Sequence, residues 1–356
     1  MGLRSGAITR WRLTAASLLA LLLLLEGGMF SSHSLPPALL EKVFQYIDLH
    51  QDEFVQTLKE WVAIESDSVQ PVPRFRQELF RMMAVAADTL QRLGARVTSV
   101  DMGSQQLPDG QSLPIPPVIL AELGNDPTKG TVCFYGHLDV QPADQGDGWL
   151  TDPYVLTEVD GKLYGRGATD NKGPVLAWIN AVSAFRALEQ DLPVNIKFII
   201  EGMEEAGSVA LEELVEKEKN RFFSGVDYIV ISDNLWISQR KPAITYGTRG
   251  NSYFTVEVKC RDQDFHSGTF GGILHEPMAD LVALLVFGTE PDMIRDGSTI
   301  PIAKMFQEIV HKSVVLIPLG AVDDGEHSQN EKINRWNYIE GTKLFAAFFL
   351  EMAQLH

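Results

Sequence analysis

A chain of 356 residues with 45% hydrophobic and 22% charged content can bury a full core and is too long for one small domain, so a large domain carrying an insertion is expected. Its formal net charge of -17 excludes a nucleic-acid partner, because phosphate binding depends on clustered Lys and Arg. The two cysteines, Cys133 and Cys260, are too few for a disulfide framework, and Cys133 lies in the apolar run TVCFY as a core residue.

Residues 1–32 read as a secretory signal: Arg4, Arg10 and Arg12 precede the apolar run 13–25, and Gly27, Gly28, Ser31 and Ser32 follow. That run is shorter than the ~20 residues a membrane span needs, so a short anchor is the weaker alternative and a secreted, extracellular protein with no membrane partner is expected. No Asn-x-Ser/Thr acceptor occurs, so N-glycosylation is not expected. After Pro36-Pro37, residues 39–64 and 75–93 carry apolar positions at helical spacing, the second run closing at Gly94. Strand-like runs cover 96–100, 118–122, 131–135, 195–200, 228–231 and 314–318, alternating with helical runs at 173–188, 209–219 and 336–352. This order predicts an α/β layered domain with a mostly parallel sheet.

In such sheets ligands bind beyond the carboxyl ends of the strands, and five motifs fall there or on adjoining turns: GHLDVQP, GRGATDNKG, EGMEEAGS, ISDN and GEHSQNE. They supply His137, Asp170, Glu205, Asp233 and His327, a nitrogen and oxygen set suited to two divalent ions, Zn(II) or Mn(II). The spacing of His137 and Asp139 lets an imidazole bind metal while the carboxylate accepts its other ring N–H. Asp170, after a glycine-rich turn, could bridge two cations or cap the helix that follows. Glu204 and Glu205 close an apolar strand, where paired carboxylates need a compensating charge or a solvated turn. Asp233 could be a ligand or a helix cap, and His327 draws its weight from the other four.

These motifs resemble the two-metal aminoacylase and carboxypeptidase-like metallopeptidases, most closely their carnosinase branch, from residue 39 to 355. The resemblance implies a layered phosphorylase/hydrolase-like catalytic domain. It implies His137 and Asp233 on one ion, Glu205 and His327 on the other, and Asp170 between them. It also implies Glu204 as general base and acid, Asp139 behind His137, and a cis Asp170–Asn171 peptide. His266 would polarise the scissile carbonyl from a partner subunit, and Thr299 would contact substrate. The chemistry implied is attack of a metal-bridged hydroxide on small dipeptides such as beta-Ala-His, with deacylation of N-acyl amino acids as the neighbouring activity.

One departure stands out. Relatives carry a dimerising lid of four strands and two helices, which needs about 70 residues at ordinary element and loop lengths. Only 43 residues lie in 246–288, between catalytic segments 33–245 and 289–356, and they accommodate one strand (252–259) and one helix (277–287). The lid is therefore expected to be truncated near 285–288, leaving unpaired strand edges. The homodimer is then doubtful, Arg249 and Arg295 are the remaining candidates for a substrate-carboxylate clamp, and a metal-binding chain of weak activity is the alternative to an active dipeptidase.

Overall fold

The computed structural model describes residues 38–107, 110–248, 292–296 and 300–353, and for 292–296 the backbone path alone. The predicted signal at 1–32 and the predicted strand and helix at 252–259 and 277–287 lie outside the described residues.

The predicted helical run at 39–64 is two helices, α1 (Ala38–Leu49) and α2 (Gln51–Val62). They part at His50, whose ring stacks on Tyr46 with centroids 3.8 Å apart and whose Nδ1 lies 2.7 Å from the Tyr46 carbonyl oxygen. Helix α3 (Pro73–Arg92) starts with Pro at its first position and ends at Gly94. There the N–H groups of Gly94 and Ala95 bond the carbonyls of Gln91 and Leu90, a Schellman closure with Gly94 at φ +87°.

Strand β1 (Arg96–Val100) is followed by a small hairpin, β2 (Ser104–Gln106) and β3 (Ser112–Pro114), then β4 (Val118–Leu123) and β5 (Thr131–His137). A short pair, β6 (Thr157–Val159) and β7 (Lys162–Tyr164), leads into α4 (Lys172–Ala187), β8 (Asn195–Glu201), α5 (Leu211–Glu218) and β9 (Tyr228–Ile231). The remaining elements are β10 (Ala243–Thr248), β11 (Asp292–Asp296), α6 (Pro301–Val310), β12 (Ser313–Leu316), β13 (Lys332–Asn334) and α7 (Arg335–Met352). Residues 246–248, assigned from the sequence to the inserted segment, are thus the end of a sheet strand.

The main sheet runs β1-β4-β8-β5-β9-β12-β10-β11. Its centre, β8-β5-β9-β12, is parallel throughout, whereas β4, β1 and the β10–β12 pairing are antiparallel. Side chains alternate between two helical layers, as a period of two requires. Val132 and Phe134 of β5 join the core under α1, α2, α3, α4 and α7, while Cys133 and Tyr135 join the core under α5 and α6. Trp178 of α4 lies flat on Phe345 of α7, centroids 3.4 Å apart, and tilted against Phe134 at 3.9 Å. The result is a helix–sheet–helix sandwich whose four central strands end on one rim.

Candidate metal centre

Each central strand delivers one polar segment to that rim. His137 is the last residue of β5; Glu204 and Glu205 open a 3-10 turn just past β8; Asp233 lies two residues beyond β9; His327 lies on the loop between β12 and β13. Gly136 is needed beside His137, because a Cβ there would overlap the Val175 side chain of α4. The cis Asp170–Asn171 peptide is present, and Asp170 arrives from the turn that opens α4.

The five side chains meet in two triads that share one carboxylate. His137 Nε2 lies 3.0 Å from Asp170 Oδ1 and 3.3 Å from Asp233 Oδ1. His327 Nε2 lies 2.9 Å from Asp170 Oδ2 and 3.0 Å from Glu205 Oε2. A tetrahedral ion with bonds of ~2.0–2.1 Å has ligand atoms ~3.3 Å apart, so both triads have the spacing of a cation's ligand shell. His137, Asp170 and Glu205 also offer atoms all within 4.8 Å of one another. Asp170 Oδ1 and Glu205 Oε1 are buried without a hydrogen-bond partner, as oxygens aimed at a cation would be. The donor set fits divalent metal.

Electrostatics point the same way. Burial alone would depress both imidazoles, but the Asp233, Asp139 and Asp170 carboxylates hold His137 well above its ordinary value, and Asp170 and Glu205 raise His327 to about 12. Asp170, against its burial, is held well below the usual carboxylate range by the two imidazoles. Burial, reinforced by Asp233 and Glu205, pushes Glu204 well above it. The cluster thus keeps protons where cations would otherwise supply the positive charge.

Asp139 lies behind His137, with more than one contact to it. The His137 Nδ1–H donates to the Asp139 backbone carbonyl at 3.1 Å, with carboxylate Oδ1 3.3 Å away. The carboxylate's other oxygen is already taken, accepting from Ser68 Oγ at 2.6 Å and from the Glu205 N–H at 2.9 Å. Asp139 therefore faces the imidazole with both its main-chain carbonyl and carboxylate Oδ1, and holds the Glu205 turn with Oδ2.

Three buried groups escaped the sequence reading. Glu331 accepts hydrogen bonds from the turn that carries Asp170. Glu201, 1% exposed at the end of β8, accepts from Tyr135 Oη at 2.6 Å and Ser208 Oγ at 2.8 Å, closing the loop that holds Glu204 and Glu205. Lys172, also buried and lowered by burial to about 7, donates to the Trp61 and Ile64 carbonyls at 3.0 and 2.7 Å, at the C-terminal end of α2. The signals were acidic or basic residues inside motifs otherwise read for their ligands. His266, Thr299 and Arg249 lie outside the described residues, and Arg295 falls on β11.

The model of peptidase family M20/M25/M40 matches residues 133–351. A human protein named Beta-Ala-His dipeptidase is 67% identical over a 499-residue alignment that takes in 96% of this chain and 98% of that protein. The crystal structure of human carnosine dipeptidase 1 superposes with a TM-score of 0.81 at 59% identity, covering 90% of this chain and all of that one. The di-peptidase Dug1p from Saccharomyces cerevisiae gives a TM-score of 0.78 at 27% identity, over 88% of this chain and 98% of that one. With the family model spanning more than half the chain and a curated relative this similar over nearly its whole length, the protein is a member of peptidase family M20/M25/M40.

Proposed function

We propose that this chain hydrolyses small dipeptides of the beta-Ala-His kind at a centre of two divalent ions, Zn(II) or Mn(II). The observation that carries the reading is the pair of donor triads sharing Asp170, with Glu204 on the same turn as Glu205. The substrate class rests on the name of the 67% identical human relative. His137, Asp170 and Asp233 would hold one ion, and Asp170, Glu205 and His327 the other. Two such ions supply Lewis-acid charge and acidify water. Glu204, whose burial beside other carboxylates raises its affinity for a proton, takes the proton of the attacking water and returns it to the leaving amine. His266 is assigned to the scissile carbonyl, and Thr299 and Arg295 to the substrate's remaining polar groups.

The test is release of histidine from beta-Ala-His by the metal-stripped chain, with and without added Zn(II) or Mn(II). Release of amine from an N-acetyl amino acid at a comparable rate would favour the deacylase reading instead. Metal analysis of the active sample decides between one and two ions.

A weakly active, metal-binding chain is the second reading, favoured by one observation. The alignment with the human relative is 499 positions long, more than this whole chain of 356 residues, so it steps over relatives' residues with no counterpart here. The break is assigned to the inserted segment, between β10 and β11, and leaves every metal ligand in place. Sedimentation decides the consequence: a stable dimer contradicts a truncated dimerisation unit. Export through the 1–32 signal is tested by the N-terminal sequence of protein recovered from culture medium. Among the described residues no helix is long and apolar enough to cross a membrane.

A further inference from the structure

Glu331 is fully buried, and its carboxylate faces donors on every side. Oε2 accepts from Arg166 Nη1 at 2.8 Å and from the Gly167 N–H at 3.1 Å. Oε1 accepts from the N–H groups of Thr169 and Asp170, both at 3.0 Å. Its own carbonyl accepts from the Gly165 N–H at 2.9 Å, so side chain and main chain grip the same turn. A group with donors at both oxygens has to be an acceptor twice over, which an ionised carboxylate satisfies and a carboxamide does not. Glu331 also sits four residues after His327 on the same loop. One side chain therefore joins the segment bearing the shared carboxylate to the segment bearing the second imidazole.

We propose that Glu331 is a positioning residue that sets the second cation site, by locking the Asp170 turn to the His327 loop through Arg166 and three backbone N–H groups. This rests on the two-ion reading above. The asymmetry follows from where the ligands come from. His137 ends β5 and Asp233 follows the end of β9 by two residues, and among the first triad Asp170 alone is tied to Glu331. In the second triad both Asp170 and His327 lie on the two segments that Glu331 joins, and Glu205 alone is independent of it. Loosening the lock lets Asp170 Oδ2 and His327 Nε2 drift apart while the first triad keeps the two ligands carried at the ends of β5 and β9.

The test is Glu331→Gln in the full metal-free chain, titrated with Zn(II) by calorimetry and with Co(II) by visible absorption. The carboxamide would turn an N–H toward two existing donors, on whichever side it rotates. Loss of a group that orients a ligand weakens metal binding about 10–100-fold, and that loss is expected in the second binding event with the first unchanged and the Co(II) bands of the second site broadened. Equal weakening of both events, or of neither, overturns the proposal. If E331Q does not fold, Arg166→Lys decides it. That variant keeps the buried charge and removes the guanidinium from Oε2; the same one-sided weakening supports the proposal, and its absence overturns it. Wild-type protein that takes up fewer than two ions would sink the two-ion reading as well, whereas normal uptake with an unaffected variant sinks this inference alone.

Discussion

Replacing Glu201 by Gln should stabilise the metal-free protein at neutral and alkaline pH. Glu201 is 1% exposed, and burial reinforced by the Asp139 charge lifts its carboxyl from 4.5 to about 7, against the opposing hydrogen bonds of Tyr135 and Ser208. A folded-state pKa above the unfolded one means that the native protein holds the proton more tightly. The stability this confers is complete below about pH 4.5 and is lost as pH rises through about 7. At about 1.4 kcal/mol per unit, the loss is roughly 3 kcal/mol. Both hydroxyls donate to Oε1, so a Gln carbonyl oxygen can accept both and the loop is kept. Urea unfolding of wild type and E201Q across this range, in the presence of a chelator, gives a difference curve from which titrations common to both cancel. It should rise in favour of the variant by about 1–3 kcal/mol between acid and slightly alkaline pH, allowing for a weaker acceptor. A flat difference curve, or one that falls, would refute the assignment of Glu201 as a buried carboxyl titrating near neutrality.

Glu204→Gln should lower dipeptide turnover roughly a hundred- to ten-thousand-fold while ion stoichiometry by elemental analysis stays as in wild type; near-normal turnover would remove Glu204 from its role. Because Asp233, Asp170 and Glu205 keep both imidazoles protonated in the absence of metal, uptake of ions should release protons and weaken as pH falls. Calorimetry in buffers of different ionisation enthalpy reads this directly, and a buffer-independent heat would contradict it. Gly173→Ala places a methyl group on the Ala168 carbonyl oxygen in the turn next to Asp170, and should cost about 1–3 kcal/mol in thermal unfolding and weaken metal binding with it. Unchanged stability and affinity would mean that the turn has more slack than its packing indicates.

Much of this was legible in the chain because the relevant signals are local. Strands 96–100 and 228–231 coincide with β1 and β9 residue for residue, since short β-rich runs bounded by polar segments state their own limits. The candidate ligands were chosen through position, each polar motif following an apolar run, and the parallel order of β8, β5, β9 and β12 brings those ends together. The elements passed over were the three-residue strands β2, β3, β6, β7 and β13, too short to show a period of two, β10 and β11, where an apolar run is short or interrupted by charge, and α6, marked only by Pro301 at its start. Glu331 and Glu201 eluded the sequence for a different reason. What identifies them is a set of partners from distant parts of the chain, Glu331 with Gly167 and Glu201 with Tyr135, and no periodicity encodes such a pairing.

The order in which the ligands occur along the chain carries one more consequence. His137, Asp170 and Asp233 all precede β10, whereas the other triad is incomplete until His327 has been added well beyond it. During synthesis the two donor triads are therefore completed at different moments. An emerging polypeptide that has folded β5, α4 and β9 already owns the three donors of one triad, while the other triad has to wait for the last third of the protein to be made and threaded back beside β9. Any change in the sequence between β10 and β11, however drastic, reaches the nascent protein after the first donor set is spelled out and before the second is.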